Sequence, residues 1–308
     1  LLLGYFTRAG PQSADLKTKG WFKMSTAIQR PQPSRLPAGR KLSLSDTVTS
    51  GNKLPSRVVL HGVEGVGKTS FAASAPKPYF LMARGETGLE TLIDSGRIGD
   101  TPHAPELQTW GEVEDVIESL RTEPHEYKSL VLDALPGFER LCHEHVCQTM
   151  FDNKWGKDGF ASYMQGYDAS LTPWREFLSK LDALRSERKM AILALCHTKV
   201  TTFKNPEGAD YDRYQPDMHH KTWALTHRWA DIVLFANFYT IVAETTGGGK
   251  GPSKGKGRGG TERVMFTERS AAFDAKNRHG LPIEISMGNS GAESWTNFIN
   301  SIKEGRQQ

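Results

Sequence analysis

Residues 61–71, HGVEGVGKTSF, constrain this chain more than any other stretch. Gly62-x-x-x-x-Gly67-Lys68-Thr69 satisfies the Walker A pattern. An apolar run, RVVLHG (57–62), precedes it and reads as a buried strand. TSFAASA (69–75) follows and reads as a short helix stopped by Pro76 and Pro78. Glycines in such a turn let the backbone approach an anion and aim its N–H groups inward, and the helix start adds partial positive charge. The loop Gly62, Val63, Glu64, Gly65, Val66, Gly67, Lys68, Thr69 and Ser70 is therefore expected to cradle ATP. Lys68 is expected to reach the β- and γ-phosphates, and the Thr69 hydroxyl to ligate Mg²⁺.

A strand–loop–helix of this kind needs a sheet around it, and the sequence supplies one. YFLMA (79–83), SLVLDA (129–134) and MAILALCH (190–197) are short apolar runs that read as buried strands. Between them, Val113, Val116, Ile117 and Leu120 fall at helical spacing within 110–123, and a further helix is expected through Phe138, Leu141 and Val146. Thr172 and Pro173 open another, with Trp174, Phe177, Leu178, Leu181 and Leu184 along its apolar stripe. DIVLFANFYTIVAE (231–244) and RVMFTER (263–269) read as later strands, and Trp295, Phe298 and Ile302 mark a last helix over 292–304. Strands alternating with helices imply a mainly parallel sheet covered on both faces, with the later strands as an antiparallel edge. One domain, residues 56–305, accounts for these elements.

The rest of the chain reads as attachments. Residues 1–55 are expected to form a disordered tail, being rich in Pro, Ser and Arg from Met24 onward. Residues 1–23 read as upstream of a natural start at Met24. The Gly/Lys-rich segment 246–260 reads as a flexible insert, and 152–170 and 199–221 as long polar loops. Net charge is only +4 over 308 residues, so any nucleic acid must be met by local patches. Three cysteines suit a reducing cytoplasm better than a disulfide scaffold. No run approaches the roughly 20 apolar residues of a membrane-spanning helix.

Three strand ends offer further chemistry. Asp133 closes SLVLD, where a carboxylate would share the Mg²⁺ shell with Thr69. Glu86, just past the second strand, is placed to orient or deprotonate a water; Glu64 and Glu90 are the weaker alternatives. His197 ends ILALCH, where a polar group could sense the γ-phosphate. CHEHVC (142–147) tempts a zinc reading, but on a helix Cys142 and Cys147 share a face poorly.

GVEGVGKTSFAASAP, LMARGETGLETL, SLVLDALPGFERL, ILALCHTKV and DAKNRHGLP, in this order, resemble the phage-encoded RecA-like ATPases that accompany recombination genes. The resemblance spans Arg57 to Ile285 and implies a RecA-like P-loop NTPase core. It places Glu86 at the catalytic glutamate and His197 at the γ-phosphate sensor, where that family carries Gln. It also implies that Lys276 or Arg278 could reach ATP on a neighbouring subunit of a homo-oligomer, with single-stranded DNA and a phage single-strand DNA-binding protein as partners in a bacterial host cytoplasm. Cations and aromatics for DNA are sought in the two polar loops: Lys154, Trp155, Lys157, Phe160, Tyr163 and Tyr167 in the first, Lys199, Lys204, Tyr211, Arg213, Tyr214 and Lys221 in the second. A replication motor or helicase loader, and a non-hydrolysing ATP switch, remain as alternative readings. A small-molecule kinase is disfavoured, because no lid-like arginine cluster is evident.

Overall fold

The computed structural model describes residues 54–243 and 256–305. The expected tail falls outside these residues apart from Leu54 and Pro55, and so does much of the expected insert. In chain order the elements are β1 (Arg57–Gly62), α1 (Lys68–Ala73), β2 (Pro78–Met82), α2 (Gly88–Asp94), α3 (Trp110–Thr122), β3 (Ser129–Asp133), α4 (Leu135–Met150), α5 (Gln165–Ala169), α6 (Leu171–Ala183), β4 (Ala191–Phe203), β5 (Tyr211–Pro216), α7 (His220–Trp229), β6 (Ile232–Ala243), β7 (Lys256–Phe266), β8 (Glu284–Ser286) and α8 (Gly291–Gly305).

The strands form one sheet in the order β2-β3-β4-β1-β6-β7-β8, with β5 paired to β4. The five strands β2, β3, β4, β1 and β6 run parallel. β7 and β8 add the antiparallel edge. The strand bearing the phosphate loop is thus separated from the Asp133 strand by β4 alone, with Gly62 opposite His197.

Strand side chains alternate between two cores, as the pleat requires. Val59, Leu81, Leu130, Leu132, Ile192 and Ala194 face one layer, which is filled by α3, α4 and α6 through Ile117, Phe138, Trp174 and Phe177. Trp110 and Trp174 stack there at 6.1 Å, and the Trp174 indole N–H donates to Thr226 on α7 at 3.0 Å. That bond satisfies a donor that burial would otherwise strand. Val58, Leu60, Phe80, Met82, Leu193 and Leu234 face the other layer, packed by Phe71 of α1, Leu89 of α2, and Phe298 and Ile302 of α8.

The structure departs from the sequence expectations at several points. The strand read over 190–197 continues to Phe203, and the loop read over 199–221 is largely a β-hairpin: β4 turns back and pairs antiparallel with β5 from Thr198↔Pro216 to Phe203↔Tyr211. Polar side chains hid this strand because it stands clear of the core, where no apolar alternation is demanded. Helix α7 was not anticipated; its core-facing positions include Thr222 and Thr226, which carry no apolar signal. α6 starts at Leu171 with Ser170 at the N-cap position, leaving Thr172 and Pro173 in its first turn. Lys256–Gly260, read as part of the flexible insert, belong to β7 and pair with β6.

Candidate nucleotide site

The phosphate loop takes its shape from two glycines and a close strand contact. Gly65 and Gly67 have φ of +71° and +100°, a region that side-chain-bearing residues rarely adopt. At Gly62 a Cβ would lie 2.3 Å from the Ala236 carbonyl oxygen of β6, so only glycine lets the loop leave the sheet there. Val63 N–H donates to the same oxygen, and Val66 is fully buried beneath the loop. Glu64 sits exposed on its crest and Ser70 half-buried on α1.

Lys68 is buried and its ammonium donates to the carbonyls of Gly62 at 2.9 Å and Val63 at 3.0 Å. Burial lowers its pKa, while the Asp133 carboxylate opposes that shift. The side chain is therefore curled over the loop, and its charge is held by carbonyl dipoles. Thr69 Oγ donates to Asp133 at 2.9 Å across the β1–α1 and β3 ends. Asp133 is 6% exposed, and burial pushes its carboxyl up to about 6 despite the Thr69 bond. A hydroxyl and a carboxylate meeting at one point form an oxygen donor pair suited to a hard cation such as Mg²⁺.

Glu86 lies in the turn after β2, where its N–H donates to Ala83. Its carboxylate meets His197 Nε2 at 3.2 and 3.4 Å. The Glu86 hydrogen bond raises the His197 pKa against the opposing effect of burial. Lys68, Thr69, Glu86 and Asp133 thus arrive from the ends of β1, β2 and β3, and His197 from the point of β4 opposite the end of β1, at one edge of the parallel strands. Open α/β sheets place ligands at this edge, outside the carboxyl ends of the strands.

The remaining sequence candidates do not join this cluster. Lys276 was read as a group for a neighbour's ATP, but its ammonium donates to the carbonyls of His227, Arg228 and Ala230 at 2.7, 3.2 and 2.6 Å. Those carbonyls lie at and just past the end of α7, so the cation caps a helix C-terminus within its own chain. Arg278 is exposed. Of the loop 152–170 residues, Tyr163 is 93% and Trp155 46% exposed, and Lys154 and Lys157 are exposed beside them. Tyr163 and Met164 hold φ of +44° and +63°, strained values that present the ring outward. Phe160 is instead buried under Trp155 and Tyr167, and Tyr167 stacks on His219 at 4.6 Å.

In the second loop the correction is larger. Arg213 is 4% exposed, bonded to Asp274 at 2.6 Å and lying over the Phe203 ring. Tyr214 is half-buried against Phe235. Lys204 is exposed at the hairpin tip and paired with Asp210. Pairing β5 against β4 turns Arg213 inward, a consequence of register that a loop reading cannot supply.

Two site residues carried no sequence signal. Arg263 on β7 reaches over the phosphate loop, donating to Val66 O at 3.3 Å and Gly288 O at 2.7 Å. His61, fully buried one residue before the loop, bridges Thr198 at 3.1 Å and the Asp274 carbonyl at 2.8 Å, and burial lowers its pKa to about 4. Both act through partners distant in sequence.

No helix among the described residues is long and apolar enough to cross a membrane. No curated protein matches the chain. Among solved structures, the crystal structure of the RadB recombinase is similar at 12% identity, with 70% of this chain and 82% of that chain covered and a TM-score of 0.39. Residues 54–279, from just before β1 to just past Lys276, match the family described as AAA domain. With its phosphate loop, strand-end carboxylate and mainly parallel sheet, the chain belongs to the AAA domain family of P-loop, nucleotide-binding ATPases.

Proposed function

We propose that this protein hydrolyses ATP with Mg²⁺, binds single-stranded DNA as a homo-oligomer, and promotes annealing or strand exchange in phage recombination. The carrying observation is the convergence of Lys68, Thr69, Asp133, Glu86 and His197 at one sheet edge. Thr69 and Asp133 would hold Mg²⁺, which when bound neutralises charge on the β- and γ-phosphate oxygens.

The chain's own groups supply the rest. Lys68 exchanges the Gly62 and Val63 carbonyls for phosphate oxygens, a better partner for an ammonium already partly desolvated. Glu86 orients a water for attack on the γ-phosphorus and takes its proton as the bond to the β–γ bridging oxygen breaks. His197 holds Glu86 in place before ATP arrives and exchanges that contact for the γ-phosphate once ATP is bound. Because His197 immediately precedes the stretch of β4 that pairs with β5, such an exchange pulls on the hairpin. Arg278 is the exposed cation left to serve a neighbouring subunit.

The DNA reading is supported by the exposed Tyr163 and Trp155 beside Lys154 and Lys157, a mix of stacking faces and backbone cations. The test is ATP hydrolysis by the full chain with and without single-stranded DNA, with oligomer size followed in parallel. DNA-stimulated turnover and larger assemblies are expected, and Lys68→Ala should abolish turnover. Turnover unaffected by DNA, with stimulation by a partner helicase instead, would favour the motor or loader reading. Wild-type turnover in Lys68→Ala would reject the site itself.

A further inference from the structure

An apolar groove of about 300 Å³ opens at the end of β1 remote from the phosphate loop. Val58, the second residue of β1, and Leu193 of β4 supply its sheet side, and Phe298 and Ile302 of α8 its helix side. These four side chains are buried, whereas Trp295 and Ile299 beside them are only half-buried. Lys128, Lys189 and Lys303 stand exposed around the rim, and the described lining residues include no acidic one. None of the three lysines is ion-paired among the described residues, and Glu126, two positions from Lys128, is taken by Lys77.

We infer that this groove docks a short acidic peptide segment of a partner protein, one that carries apolar side chains between its carboxylates. The inference goes beyond the ATPase reading and does not depend on it. Lysine stems lie along apolar surface while their ammonium groups stay in water. A docked segment therefore buries its Leu or Phe side chains against Trp295 and Ile299 and meets three free cations at the rim. Charge complementarity of this kind steers the right partner in and turns away a wrong one. Residues 1–53 of this chain are themselves basic, with nine Lys and Arg against two Asp, so the occupant is a segment of opposite charge. Single-stranded nucleic acid needs exposed rings on which bases stack. Here Phe298 is buried, and Trp295 is packed against Phe298 and Phe71 at 5.8 and 5.2 Å. α8 lies beyond residues 54–279, so the family match does not assign this surface.

The experiment titrates the full chain into a fluorescein-labelled peptide that alternates Asp with Leu and Phe, read by anisotropy. The comparison peptides carry Ser in place of Leu and Phe, or Lys in place of Asp. Binding of the first peptide alone is expected, and added salt should weaken it. The double variant Lys128→Glu/Lys303→Glu changes two exposed side chains and should weaken that binding at least about tenfold, with an unchanged melting temperature. Absence of binding by the wild-type protein, equal binding of the Ser-substituted peptide, or wild-type affinity in the double variant would each overturn the assignment. So would displacement of the peptide by single-stranded DNA together with lost DNA affinity in the double variant, which would give these lysines to nucleic acid.

Discussion

Glu139→Gln should make this protein more stable at neutral and mildly alkaline pH. Glu139 is on α4, 6% exposed, and both carboxylate oxygens accept from the His219 N–H at 3.1 and 3.0 Å, at the N-cap of α7. Burial pushes its carboxyl from 4.5 up to about 7, against hydrogen bonds from His219 and Thr222 that favour the anion. The folded state therefore holds a proton that the unfolded chain has released between those two values. Stability from this group is fully present below about pH 4.5 and is lost as pH rises to about 7, by about 3 kcal/mol. Gln keeps an oxygen for the His219 N–H and never ionises. The variant should match wild type near pH 4.5 and gain steadily to a plateau of up to about 3 kcal/mol above pH 7, less whatever charge-assisted bonding is lost. Urea unfolding at a series of pH values from 4.5 to 8 measures this directly. A difference between the two proteins that does not change with pH would refute the reasoning, as would a variant that is less stable at pH 8.

Glu86→Gln should retain ATP binding while turnover falls by about 10²–10⁴-fold, checked by single-turnover kinetics and nucleotide affinity. His197 has its pKa raised by Glu86, so the protonated pair is complete below that value and weakens as pH rises through it; His197→Asn should remove the corresponding inflection from the pH profile of turnover. Tyr163→Ala should cost about 1–3 kcal/mol of single-stranded DNA affinity with no change in melting temperature. Arg213→Ala should do the reverse, destabilising the fold by leaving Asp274 without its buried partner, with DNA affinity per folded molecule unchanged. Fluorescence anisotropy and thermal melts on the two variants separate these outcomes.

The phosphate-loop motif is local chemistry, which is why the sequence alone was enough to mark it. A strand, a glycine turn and a helix start are contiguous, so the phosphate loop is legible from HGVEGVGKTSF. Asp133, Glu86 and His197 were legible for a related reason. Asp133 and His197 end apolar runs and Glu86 lies three residues past one, and parallel strands bring such positions to one edge. The two-layer arrangement followed from helical stripes such as Trp174, Phe177 and Leu181.

Tertiary structure alone decided what depends on pairing between distant segments. The register of β4 with β5 turned Arg213 into a buried strut and made a hairpin of an expected loop. The end of α7 claimed Lys276, whose ammonium bonds to three carbonyls more than 40 residues earlier in sequence. Arg263 reached the phosphate loop only because β7 folds back antiparallel on β6, the neighbour of β1. A charged side chain reads the same whether it faces water or a buried partner. The difference lies in desolvation and hydrogen-bond geometry, and those exist only once the chain has closed around it.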